Sequence, residues 1–258
     1  MLPARKNRFL NRLVYQTLIY RPIRQRFACV WLRQAGPPPS PDGSAVILFG
    51  NHSSWWDGYM AMLLNECVWH LDAYAMVEEN QLARYGFFRW VGGFSVNRHN
   101  PRSAIASIAY SAELLNAQAG RMLVIFPQGE ILANDRRPLR FQTGIGHIVR
   151  RTRNVRLYPL AMRYEFVGEQ HPEAFLSVGS SLSFEDEAVS AKHITAELEQ
   201  ALTIELDRLR EDVAAYRFDS FTPVVRGAQS INRLWDAIRH KPQLHRVGMD
   251  GKDSHEHT

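Results

Sequence analysis

The run Ala45-Val46-Ile47-Leu48-Phe49-Gly50 leads directly into Asn51-His52-Ser53-Ser54-Trp55-Trp56-Asp57-Gly58, and this stretch indicates both a fold and a chemistry. An apolar run that ends in a polar turn predicts a buried strand, and open α/β folds place their sites at such strand ends. A regular helix would hold residues five apart at about 140° to each other, so His52 and Asp57 meet only if a turn precedes a helix starting near Asp57. Such a pair can activate a hydroxyl nucleophile. The alternative is that His52 caps a turn and Asp57 is the helix N-cap.

Beyond Ala45, short apolar runs alternate with stretches of helical periodicity. The predicted strands are 45–49, 73–77, 93–96, 122–126, 156–162 and 174–178. The predicted helices are 57–66, 81–90, 102–118, 143–151, 188–217 and about 228–240. This alternation predicts an α/β fold with a mixed, largely parallel sheet flanked by helices.

The N-terminal segment, residues 1–35, carries the positive charge of the chain. Residues 1–41 have a formal charge of +8 and no acidic residue, whereas the rest of the chain sums to −3. Arginines alternate with aromatic and aliphatic residues, which predicts a basic amphipathic helical segment over 7–33, broken near Pro22, that associates with anionic membrane lipids. A helical hairpin packed on the core, with its arginines reaching solvent, is the alternative.

The remaining boundaries follow from composition. Residues 36–44 form a proline-rich linker, 45–240 the main domain, and 241–258 a polar tail expected to be disordered. No stretch is long and apolar enough to span a bilayer, so we expect peripheral association with the cytoplasmic face of a membrane. Cys29 and Cys67 form no C-x-x-C pair, so the sequence predicts a reducing compartment and no metal site.

Two further turns follow predicted strands and bring chemically useful groups to the same edge of the sheet. Phe126-Pro127-Gln128-Gly129-Glu130 contains a Pro/Gly turn that exposes amide groups. Gly92–Arg98 ends in an arginine that can hold a phosphate or form an ordinary ion pair. Arg136, Arg137 and Arg140 in the next loop are candidate phosphate or head-group contacts, or solvated charges.

Four blocks in order resemble the glycerophospholipid (lysophospholipid) acyltransferase family. They are Asn51-His52-x4-Asp57, Gly93-Phe94-Ser95-Val96-Asn97-Arg98, Phe126-Pro127-Gln128-Gly129 and Tyr158-Pro159-Leu160-Ala161-Met162. Phe141-Gln142-Thr143-Gly144 is similar to a further step of the family pattern. The resemblance covers roughly residues 45–165.

The resemblance implies transfer of a fatty acyl group from an acyl-CoA or acyl-carrier-protein thioester to a lipid hydroxyl. His52 would be the general base and Asp57 would orient it, while Arg98, Gln128, Gly129 and Glu130 would bind the acceptor. Backbone amides near the turns would stabilise the oxyanion. No bound cofactor or metal is implied. The default acceptor is a lysophospholipid, lysophosphatidate.

This chain departs from the family pattern near the acceptor. Gln128 stands where the family usually has glutamate, Asn97 where it often has aspartate, and Glu130 where it usually has Thr or Ser. The acceptor is therefore open, and a non-phosphate lipid alcohol such as a glycolipid or a carotenoid is the alternative. Trp55 and Trp56 are expected either under the acyl chain or in the core.

Two other classes of function compete with this interpretation. A non-catalytic basic protein that binds membranes or nucleic acid would explain the N-terminal segment, but no nucleic-acid motif accompanies it and we expect no nucleic-acid partner. A serine hydrolase would need a G-x-S-x-G turn, and Gly93-Phe94-Ser95-Val96-Asn97 breaks this pattern at its last position.

Overall fold

The computed structural model describes residues 1–41, 43–186 and 188–228, and these build one sheet with helices on both faces. The strands are β1 (Cys29–Gln34), β2 (Ala45–Gly50), β3 (Asp72–Glu78), β4 (Gly93–Val96), β5 (Arg121–Ile125), β6 (Val155–Glu165), β7 (Glu173–Val178) and β8 (Thr222–Arg226). The α-helices are α1 (Arg8–Val14), α2 (Arg21–Arg26), α3 (Asp57–Leu64), α4 (Glu79–Arg84), α5 (Pro101–Ala117), α6 (Gly144–Val149) and α7 (Ala191–Ala214). π-helical turns cover Tyr15–Tyr20 and Asn65–Trp69, and a 3-10 helix covers Gly86–Val91.

The sheet has the strand order β4-β3-β5-β2-β6-β7-β1-β8. The pairs from β4 to β6 are parallel, as is β1 with β7, while β6–β7 and β1–β8 are antiparallel. β2 lies between β5 and β6 and is buried along its whole length, which explains its unbroken apolar sequence. The predicted α/β fold with a largely parallel sheet is therefore confirmed.

The N-terminal prediction needs correction in two places. The helix predicted over 7–33 ends at Arg26, because Phe27 is extended and residues 29–34 pair with β7 and β8. Pro22 does not break the helix either: it sits at the start of α2, directly after the π-helical turn, so its missing N–H interrupts little.

Strand β8 was not predicted at all, and some predictions cannot be compared with the structure. The described residues end at Ala228, so the helix predicted over about 228–240 and the tail 241–258 lie outside them. Within the described residues, no helix has the length and apolar character needed to cross a bilayer.

Two apolar clusters pack on opposite faces of the sheet. One contains α3 and the helices of the N-terminal segment, including the buried Ile19 and Ile23. The other contains α5, α6 and α7, whose buried stripe includes Leu198, Leu202 and Leu206. Thus the basic segment is anchored to the core by one face.

Candidate active site

The carboxyl ends of four neighbouring parallel strands meet at one edge of the sheet. β2 leads into the turn that begins at Asn51, β5 into Phe126, β4 into Asn97, and β3 into Glu79 of α4. Parallel pairing therefore brings together the three motif-bearing turns, which are far apart in the sequence.

His52 and Asp57 meet in the geometry that the sequence required. The chain turns through residues 51–56 and α3 begins at Asp57. The Nδ1 atom of His52 lies 2.8 Å from Oδ2 of Asp57. The same Oδ2 accepts hydrogen bonds from the backbone amides of Ser53 at 2.6 Å and Ser54 at 2.8 Å. Asp57 is fully buried. Its carboxylate both satisfies the amides of the turn and contacts the imidazole.

Tyr164 of β6 completes the environment of Asp57. Its hydroxyl donates to Oδ1 of Asp57 at 2.6 Å, on the oxygen that the other three donors do not use. Burial, followed by the charge of Asp57, raises the pKa of Tyr164 well above its ordinary value, so the hydroxyl stays a protonated donor. No sequence motif marks this residue, although it lies two positions beyond the Tyr158–Met162 block.

The backbone around His52 is held from both sides. Oε1 of the buried Gln128 accepts from the amide of His52 at 2.6 Å, and the carbonyl of His52 accepts from Leu132 at 2.8 Å. Asn51 exchanges hydrogen bonds with the backbone of Met162. The ring of Phe126 stacks on the imidazole, with ring centroids 4.7 Å apart. Together these contacts fix the position of the imidazole.

A cavity of about 490 Å³ opens beside His52. Its lining is mainly apolar and comes from both faces of the sheet, including Tyr59, Met76, Val124 and Ile108. At this edge β3 pairs with β5 as far as Ala75 and Val124. An apolar space of this size suits a long hydrocarbon chain.

The two tryptophans after His52 have different surroundings. Trp55 is 53% exposed, lines the cavity and makes an edge contact with Tyr85. Trp56 packs edge-on against Phe27 and Tyr59 in the first apolar cluster. One tryptophan is thus in the cavity wall, and the other is partly buried and packs against the core.

Of the predicted acceptor-binding residues, Arg98 and Gly129 line the cavity with His52. Gly129 has φ +72°, and a Cβ there would lie 2.9 Å from Nη1 of Arg98, so both its backbone conformation and the close approach of Arg98 favour glycine. Gln128 lies behind His52 and does not line the cavity; an acceptor contact from it stays a prediction.

The other predicted contacts lie outside the cavity lining. Glu130, Arg136 and Arg140 are exposed. Arg137 forms an ion pair with Asp207 of α7 at 2.7 Å. Their roles toward a phosphate stay predictions.

The polar groups near the turns show whether metal ligands are grouped there and which backbone amides already have acceptors. Across the described residues, no three His, Cys, Asp or Glu side chains are grouped as metal ligands. The amides of Ser53, Ser54 and Gly129 donate to acceptors within the protein, so the expected oxyanion donors are not these three.

Comparisons with known proteins bear on the family and the fold of this chain. The model of the family described as Acyltransferase matches residues 32–163. The fold resembles the crystal structure of the 1-acyl-sn-glycerophosphate (LPA) acyltransferase PlsC from Thermotoga maritima, with 15% identity over 78% of this chain and 77% of that chain and a TM-score of 0.50. No curated protein matches the sequence. Because the family model spans just over half of the chain and includes the turns that carry His52, Asp57 and Arg98, the chain belongs to the acyltransferase family.

Proposed function

We propose that this acyltransferase moves a fatty acyl group from a coenzyme A or acyl-carrier-protein thioester to the hydroxyl of a lipid acceptor, with His52 as general base. The observation that carries the proposal is the 2.8 Å contact between His52 and the fully buried Asp57 at the side of a largely apolar cavity. A protein that only binds membranes or nucleic acid would have no use for this combination.

The chemistry follows from the orientation of the imidazole. Asp57 engages Nδ1, which leaves Nε2 as the ring nitrogen for the substrate. Nε2 takes the proton of the acceptor hydroxyl while its oxygen attacks the thioester carbonyl. The tetrahedral intermediate collapses with loss of the thiolate, which receives the proton from the imidazolium. A C–S bond is exchanged for an ester C–O bond, so no bound cofactor or metal is required.

Two classes of acceptor are candidates. Lysophosphatidate is the default, since PlsC from Thermotoga maritima is described as acting on it and Arg98 lines the cavity. A lipid alcohol without phosphate is the second candidate, because Arg98 already has an anionic partner in Glu78.

We also propose that the N-terminal segment contacts the anionic cytoplasmic face of a membrane. Phe9, Leu13 and Leu18 are 75%, 50% and 42% exposed, beside the arginines of α1 and α2. The test is the double variant Phe9→Glu with Leu13→Glu. Deleting residues 1–35 would also remove β1, which pairs with β7 in the sheet, so a deletion is not a suitable test. Loss of binding to anionic vesicles at low salt is expected; unchanged binding would contradict the proposal.

The central experiment measures thiol released from acyl-CoA in the presence of lipid acceptors. Replacing a general base lowers the rate by about 10² to 10⁴-fold, so His52→Ala should lose this much and Asp57→Ala should also be strongly impaired. His193→Ala, an exposed histidine on α7, is the matched control and should retain the wild-type rate. If His52→Ala were as active as the control, the proposed mechanism would be wrong.

A further inference from the structure

The guanidinium of Arg98 already has a carboxylate partner. Its Nε is 3.5 Å from Oε2 of Glu78, at the end of β3. The next residue, Glu79, is held nearby by a 2.8 Å hydrogen bond from the side chain of Asn97. The cation that would hold an acceptor phosphate is therefore already compensated.

The rest of the cavity lining supplies no surplus of positive charge. The lysine and arginine side chains in that lining are Lys6 and Arg98, which are balanced there by Glu66 and Glu78. Lys6 in addition contacts Asp72 at 2.5 Å. The arginines of the loop after Glu130 are not part of the lining.

A phosphate monoester carries a charge of about −1.5 to −2 at pH 7, and proteins hold it with several charge-assisted hydrogen bonds. In this cavity it would compete with Glu78 for the guanidinium of Arg98 and be repelled by that carboxylate. Uncharged hydroxyls meet no such repulsion, and Gln142, Arg98 and Glu78 offer them donors and acceptors.

We infer that the acceptor is a lipid alcohol with an uncharged head, such as a glycerol or sugar hydroxyl, and not a phosphorylated lysolipid. The inference rests on the proposed acyl transfer at His52 and narrows its substrate class. The apolar part of the acceptor would share the cavity wall formed by residues such as Tyr59 and Val124.

The test uses the full chain, oleoyl-CoA and acceptors that differ only in the head group: 1-oleoylglycerol, 1-oleoylglycerol carrying a sugar at position 3, and 1-oleoylglycerol 3-phosphate. We expect kcat/KM at least tenfold higher for one of the uncharged acceptors than for the phosphate. Equal rates, or a preference for the phosphate, would overturn the inference while leaving the acyl transfer intact. Absence of any thiol release that depends on His52 would remove the proposed function and the inference together.

A charge variant tests whether the ion pair of Arg98 with Glu78 causes the preference for an uncharged acceptor. Glu78→Gln leaves Arg98 without its anionic partner, so the ratio of the rate with the phosphate to the rate with the uncharged acceptor should rise about tenfold. Glu113→Gln on the exposed surface of α5 is the matched control and should leave the ratio unchanged. An unchanged ratio in Glu78→Gln would contradict the electrostatic reasoning.

Discussion

Tyr164→Phe removes a single hydroxyl from the neighbourhood of the His52–Asp57 pair. The phenylalanine ring keeps the packing against Phe27, whose centroid lies 5.8 Å away. Oδ1 of the buried Asp57 loses its hydrogen bond from Tyr164, while Oδ2 keeps its contacts with His52 and two amides. The side chain of Asp57 then has one restraint fewer, so the orientation that holds the imidazole is less firmly fixed.

The expected size of the effect follows from the type of hydrogen bond. A hydrogen bond to a charged group contributes about 1.5 to 3 kcal/mol, and about 1.4 kcal/mol corresponds to a factor of ten in rate. We therefore expect kcat to fall by about 10- to 100-fold, with KM for both substrates changed by less than about twofold. Tyr164 acts through Asp57 and is a positioning residue.

The assay is thiol release under saturating and limiting acceptor, with circular dichroism and thermal unfolding as checks of the fold. Tyr158→Phe is the control, because Tyr158 lies on the same strand and packs against Trp69, away from the pair. A folded Tyr164→Phe protein with the kcat of Tyr158→Phe would refute the reasoning, as would a loss confined to KM.

Two further predictions concern stability. Gly129→Ala should lower the free energy of unfolding by about 1 to 2 kcal/mol, because a side chain at φ +72° is strained. Gly58→Ala is the control and should not lower it, because a Cβ at Gly58 meets no atom within 4 Å. Equal free energies of unfolding for the two variants in denaturant melts would contradict this prediction. Burial raises the pKa of Asp212, but hydrogen bonds from Arg33 and Arg217 outweigh it and the pKa is lowered. The stability that Asp212 contributes is thus present above the pKa of Asp212 in the unfolded chain and is lost as pH falls through its pKa in the folded protein. Asp212→Asn should therefore lose less stability than the wild type between pH 5 and pH 2.5. If the free energies of unfolding of the two proteins fell in parallel over this range, Asp212 would not be the source of the pH dependence.

The elements with strong local periodicity could be predicted from the sequence. β2, β4 and α7 appear close to their predicted positions, since short apolar runs and the leucine stripe of α7 are local signals of burial. β1 and β8 were missed for a physical reason. Their residues are strands because they pair with each other and with β7, at sequence separations that no local pattern encodes.

In the candidate site, too, the local features could be predicted from the sequence and the contacts between distant residues could not. The turn from Asn51 to Asp57 could be inferred because a five-residue separation allows contact only across a turn. The partners of that turn could not, since Gln128 and Tyr164 reach it from 76 and 107 positions away. Gln128 is predicted to bind the acceptor, and the structure adds that its side chain holds the backbone of His52.

The sequence by itself determined the α/β architecture, the His–Asp turn and the order of the motif-bearing strand ends, because each depends on neighbouring residues. Only the tertiary structure decided which charges and hydroxyls surround that turn. Parallel pairing of β3 and β4 places Glu78 beside Arg98, and the neighbouring strand β6 carries Tyr164 to Asp57. These contacts are set by strand register, and they govern both the orientation of the base and the charge that an acceptor meets.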